Sequence, residues 1–201
     1  MKRLIITTTT CFVVLISNSQ EYFQQKVDTY IDVELDDENH ILRGFEKMVY
    51  YNNSSLDLDK IIIHLWPNAY KNSNTNLAKQ KYSDGSTSFK YADSIDLGYI
   101  DSLDFKVNGE IVKWQFLNEK IDISELLLTK PLKPGDSIII TTPFRVKIPS
   151  GKFSRLGHIG QSYQITQWFA KPAVFDKNGW HPMSYLDQGE FFSEFGNYDV
   201  S

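Results

Sequence analysis

Cysteine is nearly absent from this 201-residue chain; the only one is Cys11. It lies in the N-terminal stretch MKRLIITTTTCFVVLISNSQEYFQQ, so a protein processed behind that stretch has no disulfide and no thiol chemistry. Basic excess is absent too. Lys and Arg number 21 against 25 Asp and Glu, a net charge of −4, and no basic face is visible. Nucleic acid is therefore not an expected partner. There is no His-Glu-x-x-His, no Cys cluster, no Gly-x-Ser-x-Gly and no phosphate-cradling glycine loop. The acidic run Asp36-Asp37-Glu38 lacks the spaced ligands and glycine of a calcium loop and reads as a solvated turn. Internal repeats, low-complexity tracts and flexible linkers are likewise missing.

The N-terminus has the three parts of a secretory signal peptide. Lys2 and Arg3 give a positive start, Leu4 to Ile16 an apolar run diluted by threonines, and Ser17-Asn18-Ser19 the small residues of a cleavage site. Cleavage is expected before Gln20, giving a signal peptide over 1–19 and a domain over 20–201. As a membrane anchor the run is too short and too rich in threonine. A lipoprotein would need Leu-Ala-Gly-like residues before Cys11, and they are absent. The expected location is exported, either periplasmic or extracellular.

What remains is dominated by alternation. VDTYIDVEL (27–35) places Val27, Thr29, Ile31, Val33 and Leu35 on one face and Asp28, Asp32 and Glu34 on the other, the pattern of a half-buried strand. After a turn at 36–40, ILRGFEKMVYY (41–51) reads as its antiparallel partner, with Gly44 as a bulge. KIIIHLW (60–66), stopped by Pro67, reads as the third strand of a meander. Residues 68–91 are polar and read as a long excursion, with helical turns over 76–82 and a tight turn at Asp84-Gly85. Asn108-Gly109 between apolar runs marks a hairpin. Residues 121–128 and 136–148 read as strands, the latter with Pro143 demanding an edge position or a kink. Gln161 to Trp168 is strand-like, and EFGNYDVS (194–201) reads as a strand just begun, as expected of a fragment. The fold class is all-β: about ten short strands in an antiparallel β-sandwich or saddle-like sheet with a long loop excursion.

Chemistry-bearing residues are scattered. None of the four histidines pairs with another at i, i+2 or i, i+4. His40 falls in a turn, and His64 is expected on the exposed or partly covered side of an apolar strand. His158 and His181 are candidates to approach a site, with structural packing as the alternative. Glu190 and Glu194 are spaced to share a helical face for acid–base work, a solvated face being the plainer reading. Trp168, Phe169, Phe175, Trp180 and Tyr185 could line a sugar platform or form core or a domain interface. The density of bulky and rigid residues over 161–187 exceeds what a sandwich strand needs.

The segment TQWFAKPAVFDKNGWHPMSYLDQGEFFSEFG (166–196) resembles the N-terminal domain of the aminopeptidase N family of zinc metallopeptidases, most closely its exported bacterial branch. Residues 27–70 and 135–149 resemble the family's other strands. Ala170 and Ser184 stand where proline is typical of that branch. The resemblance implies a β-domain packed on a thermolysin-like catalytic domain through segment 161–187. It also implies peptide substrates and a parent enzyme that uses zinc. By the same resemblance Gln167 is substrate-binding, helping to hold the free amino end of a peptide. Its amide can accept from an ammonium and donate to a carbonyl; a strand-end glutamine bonding backbone is the alternative. The family's Gly-x-Met-x-Asn strand, His-Glu-x-x-His helix, third glutamate ligand and catalytic tyrosine have no counterparts in these 201 residues. No catalytic or metal-binding residue is expected here, and the chain alone should be inactive. A stand-alone secreted β-sandwich binding module, using the Trp-rich segment 161–187, is the alternative.

Overall fold

The computed structural model describes residues 22–189 and 191–201. The expected signal peptide, Cys11 and Glu190 lie outside the described residues. Among the described residues, no helix is long and apolar enough to cross a membrane.

The chain opens with β1 (Lys26–Asp36), β2 (Ile41–Tyr51) and β3 (Leu58–His64). A 3₁₀ turn at Trp66–Tyr70 and the helix α1 (Asn76–Ser83) follow. Next come β4 (Tyr99–Asp101), β5 (Lys106–Val107), β6 (Glu110–Ile111), β7 (Lys113–Leu117), β8 (Lys120–Leu132) and β9 (Ser137–Lys147). Short strands complete the order: β10 (Gly157–Ile159), β11 (Ser162–Gln164), β12 (Lys171–Pro172), β13 (Phe175–Asp176), β14 (Gly179–Trp180) and β15 (Tyr198–Val200).

Two sheets carry the fold. One runs β15-β1-β2-β9, with β4 and the β5–β6 hairpin on the far side of β9; the other runs β12-β3-β8-β7. Their inner faces meet in one core. Ile31, Met48, Tyr50, Ile140 and Val146 from the first sheet pack with Ile61, Ile63 and Leu126 from the second. This is a β-sandwich, as the alternation predicts. In the β5–β6 hairpin both turn residues take positive φ, Asn108 at 52° and Gly109 at 85°, the geometry for which Asn-Gly is suited.

Several expectations need correcting. The first three strands are not a meander. β2 pairs with β9 along its whole length, while β3 joins the second sheet beside β8. The side chain of buried Asn52 diverts the chain. Its Nδ2 donates to Leu56 O at 2.7 Å and to Leu132 O at 3.0 Å, which ties the turn to the end of β8. Gly44 makes no bulge, since β1–β2 register runs unbroken through its pairing with Val33. It is instead a point of close approach: a Cβ there would lie 2.2 Å from Asp32 O and 2.6 Å from Phe144 Cζ. Asp28 is buried rather than solvated, because Asn197 donates to it from the chain that leads into β15. β15 pairs with β1 in parallel, which a sequential hairpin reading cannot produce. A parallel neighbour needs a long crossover, here most of the domain.

Pro143 sits in a central strand but in a gap along one edge. Ile148 N–H donates toward β2 and Ile139 N–H toward Asn108 beside β5. With a period of two, Pro143 shares the direction of Ile139. It faces the space between β4, which pairs residues 145–147, and β5, which pairs residues 140–141. No ladder bond is lost there.

The polar excursion builds a second core. Thr75 caps α1, its Oγ1 accepting from Ala78 N–H and donating to Ala69 O. Leu77 and Ala78 then pack with Trp66, Tyr70, Phe89, Phe153 and Tyr185. Residues 161–168 are strand only over 162–164; the rest runs irregularly along the junction. Ile165 and Trp168 pack against both cores. Within 161–187, Pro172 and Tyr185 are buried, Pro182 is half-buried, and Trp168 and Trp180 are half-buried on the chain's own core.

Candidate functional site

Gln167 sits where the irregular stretch turns toward β12, at φ 53°. That left-handed backbone costs a non-glycine residue roughly 1–2 kcal/mol. Its Oε1 accepts a hydrogen bond from Lys171 Nζ. Lys171 lies opposite His64 in the β12–β3 pair, and its Nζ stands 4.2 Å over the Trp66 ring. Burial pulls the Lys171 amine down to about 8, and the indole face offers the charge a cation–π contact.

His64 completes the cluster from beneath. Its ring stacks on Trp66, with centroids 4.5 Å apart and planes 17° apart, and Met183 N–H donates to its Nε2 at 3.2 Å. An Nε2 that accepts leaves the ring proton on Nδ1. Burial, reinforced by the Lys171 charge, lowers His64 to about 3, so it is neutral at physiological pH. The expectation of His64 on an exposed or partly covered side gives way to full burial, because β3 is covered on both faces. Its outer face meets Ala173 and Trp180 through Ile62. Trp66 donates Nε1–H to Met183 O at 2.9 Å, so one backbone unit bonds both rings.

The other candidates do not converge on Gln167. His40 and His158 stack with centroids 3.5 Å apart beside Tyr163, whose hydroxyl lies 2.8 Å from His40 Nδ1. This pairing links the 36–40 turn to the β10–β11 hairpin. His181 Nε2 lies 2.8 Å from Asp176 Oδ1 across the β13–β14 turn. Of the five aromatics named, Phe175 and Tyr185 are core residues, and Trp168, Phe169 and Trp180 are half-buried. Among the described residues, no group of three or more His, Cys, Asp or Glu side chains is placed to hold a metal ion. His64 is enclosed, and in the stacked pair His40 Nδ1 meets Tyr163 while His158 Nδ1 lies 3.3 Å from Gly160 O.

Among the buried carboxyls, Glu46 and Glu194 lack a cationic partner within salt-bridge distance among the described residues. Burial raises Glu46 well above the usual range, opposed only by the backbone N–H of Ala170. Glu194 accepts from Phe175 N–H at 2.9 Å and is raised to about 7, by burial first and then by the Asp176 charge, with the Phe175 bond opposing. A carboxyl with a raised folded pKa gives stability that is full below its unfolded value and lost as pH rises through the folded value. Stability should therefore fall by roughly 1–3 kcal/mol between pH 4.5 and 7 on account of Glu194, after allowance for screening. Glu194→Gln keeps the acceptor for Phe175 and should remove that slope. His64 has the opposite sign, its contribution present above 6.5 and lost as pH falls toward 3, but it is common to both proteins. Denaturant melts of the two across this range isolate the effect; parallel curves would place Glu194 in water.

Sequence reasoning singled out Gln167 but not Lys171, Trp66 or the burial of His64. The molecule is thus a two-sheet β-domain with a second aromatic core, and a glutamine–lysine–indole cluster where the cores meet. No family model matches the chain, and no curated protein matches it. Among solved structures it is similar to an M1 zinc metallopeptidase from Deinococcus radiodurans, with 13% identity and a TM-score of 0.35, over 62% of this chain and 21% of that one. A mutant of the Deinococcus radiodurans enzyme bound to a Tyr-ser-ala substrate gives 13% identity and 0.38, over 70% and 25%. A two-domain M1 zinc metallopeptidase mutant bound to L-tryptophan gives 15% and 0.37, over 81% and 29%. The chain thus spans between 21% and 29% of the length of these structures.

Proposed function

We propose that this chain is the N-terminal, substrate-side β-domain of an exported zinc aminopeptidase, and that Gln167 contacts the amino-terminal portion of a peptide. The observation that carries the reading is Gln167 itself. A polar side chain in a strained left-handed conformation, half-buried beside Trp168 and Phe169, stands at the start of the one segment, 166–196, with a specific family resemblance. Strain of this kind is retained where surrounding structure fixes a side chain for use.

In this reading segment 161–187 is the face on which a catalytic domain packs, and signal peptide 1–19 directs export to the periplasm or beyond the cell. Zinc belongs to residues outside these 201, so the chain contributes positioning and not bond cleavage. Gln167 offers a carboxamide to the peptide, and Trp168 and Phe169 shape the adjoining wall.

Reading the coding DNA past the Ser201 codon tests this proposal. The frame is expected to continue through Gly-x-Met-x-Asn and then His-Glu-x-x-His. A stop codon beside Ser201, with neither motif downstream, would instead leave a stand-alone secreted binding module.

A further inference from the structure

Independently of any role for Gln167, we propose that the stacked His40–His158 pair is a proton-operated clasp. It holds the β10–β11 hairpin on the 36–40 turn while it carries one proton or none, and it releases the hairpin when a second proton binds.

The hairpin is a two-stranded sheet of its own, and Ile159 at its tip is 77% exposed. On one side its backbone is pinned to the loop after β9, where His158 N–H donates to Pro149 O and Gly151 N–H to His158 O. On the other side it meets the 36–40 turn through side chains. The two imidazoles stack with centroids 3.5 Å apart and planes 21° apart. Tyr163 O–H and Gln161 Nε2 lie 3.1 and 3.2 Å from Asp37 O. His40 is presented from φ 55°, a left-handed backbone that a histidine adopts at a cost. Rings so nearly parallel cannot both aim a lone pair at one metal ion, which leaves the proton as the ligand they can share.

The hydrogen bonds around the rings set how many protons the pair can take. Gly160 O only accepts, so His158 Nδ1, 3.3 Å away, carries a proton and Nε2 is where His158 takes another. The Tyr163 hydroxyl, 2.8 Å from His40 Nδ1, serves either way. It donates to a bare Nδ1; when Nδ1 is protonated it accepts, and its own proton turns to Asp37 O. One proton on His40 is therefore taken up without losing a bond. A second, on His158, would set two cations face to face, where like charges oppose each other. Burial lowers His158, the Gly160 carbonyl opposes this, and the His40 and Lys147 charges add to the lowering. Asp36 and Asp37 face the cluster from the turn and act on Tyr163. Asp36 is tied to Asn39, and Lys152 from the loop after β9 is spent on Asp96. Among the described residues the one histidine–carboxylate pair is His181 with Asp176, so no carboxylate neutralises the stacked rings. A histidine with a lowered folded pKa gives stability that is present above its unfolded value and lost as pH falls through the folded one. The clasp is thus closed near neutrality and opens in acid. β11 leads into Ile165, which packs against both cores, so opening loosens the approach to their junction.

The imidazole Cε1 protons of this chain, followed by NMR from about pH 8.5 to 4, test the clasp; ¹⁵N relaxation of amides 157–164 is recorded in parallel. His40 and His158 are expected to share two steps, with the second proton bound about tenfold or more weakly than the first. The hairpin amides should gain mobility at the lower step only, while those of β2 and β9 stay rigid. In His40→Asn, which suits the left-handed backbone, His158 should titrate in one step and at higher pH than in the wild type. His158→Phe keeps a ring on His40 that takes no proton, so its hairpin should stay ordered through the lower step. Independent single steps for the two histidines in the wild type, or hairpin amides unchanged through the lower step, would overturn the clasp. Hairpin release in His158→Phe at the wild-type pH would overturn it as well. The wild-type titration decides alone if a variant does not fold.

Discussion

Replacing Trp66 with alanine is expected to destabilise the domain by about 3–5 kcal/mol, the range for truncating a buried tryptophan. Trp66 is 1% exposed and has an aromatic or cationic neighbour on several sides. His64 stacks on it, Phe191 lies 4.8 Å and Tyr185 6.3 Å from its centroid, and Lys171 stands over its face. The substitution also removes the Nε1–H donor to Met183 O, leaving a half-buried carbonyl without that partner. These neighbours come from separate stretches of chain, so the cavity cannot close by moving one of them. The cost should appear as a lowered denaturant midpoint. Backbone amides over 183–189 should exchange faster than those of β2 and β9. A loss below about 1 kcal/mol would mean that the second core can collapse onto the missing ring, contrary to the packing described.

Gly44→Ala is expected to cost at least about 2–3 kcal/mol, the scale of overpacking where the neighbour cannot give way. The added Cβ would stand 2.2 Å from Asp32 O, a backbone atom, and 2.6 Å from Phe144 Cζ. The ring can turn aside, but the carbonyl can move only with β1. Because β2 lies between β1 and β9, relief on one side strains the other. Adding Phe144→Leu to the alanine variant should therefore recover only a minor part of the loss. Full recovery would show that the ring, and not the strand spacing, sets the requirement for glycine. Urea melts of the two single variants and the double variant give the coupling directly.

The same glycine shows where sequence stops informing. An isolated glycine in a strand fits a bulge or a close approach equally well, and only the register of β2 against both neighbours decides between them. Period-two alternation located β1, β2, β8 and β9 because each has one buried and one wetter face. It could not assign strands to sheets, since the partner of β2 lies far along the chain and Asn52 makes the diversion by a side-chain contact to β8. His64 was misread because alternation assumes one covered face, and the outer face of β3 is roofed by residues that follow β12. The excursion over 68–91 reads as polar on average, yet a few apolar positions, Leu77, Ala78 and Phe89, suffice to seed a second core. Gln167 was singled out through its motif, and its role remains the proposal above. Lys171 was not, because a lysine carries no sequence mark of being laid over an indole ring.

Gln167 is proposed to serve a peptide bound by a larger zinc enzyme. The measurement that tests it most directly is aminoacyl anilide hydrolysis by the product of the whole reading frame, with and without a zinc chelator, for the wild type and Gln167→Ala. Chelator-sensitive turnover is expected in both proteins, with KM raised about tenfold or more in the variant. No turnover, or equal KM in the two proteins, would contradict it.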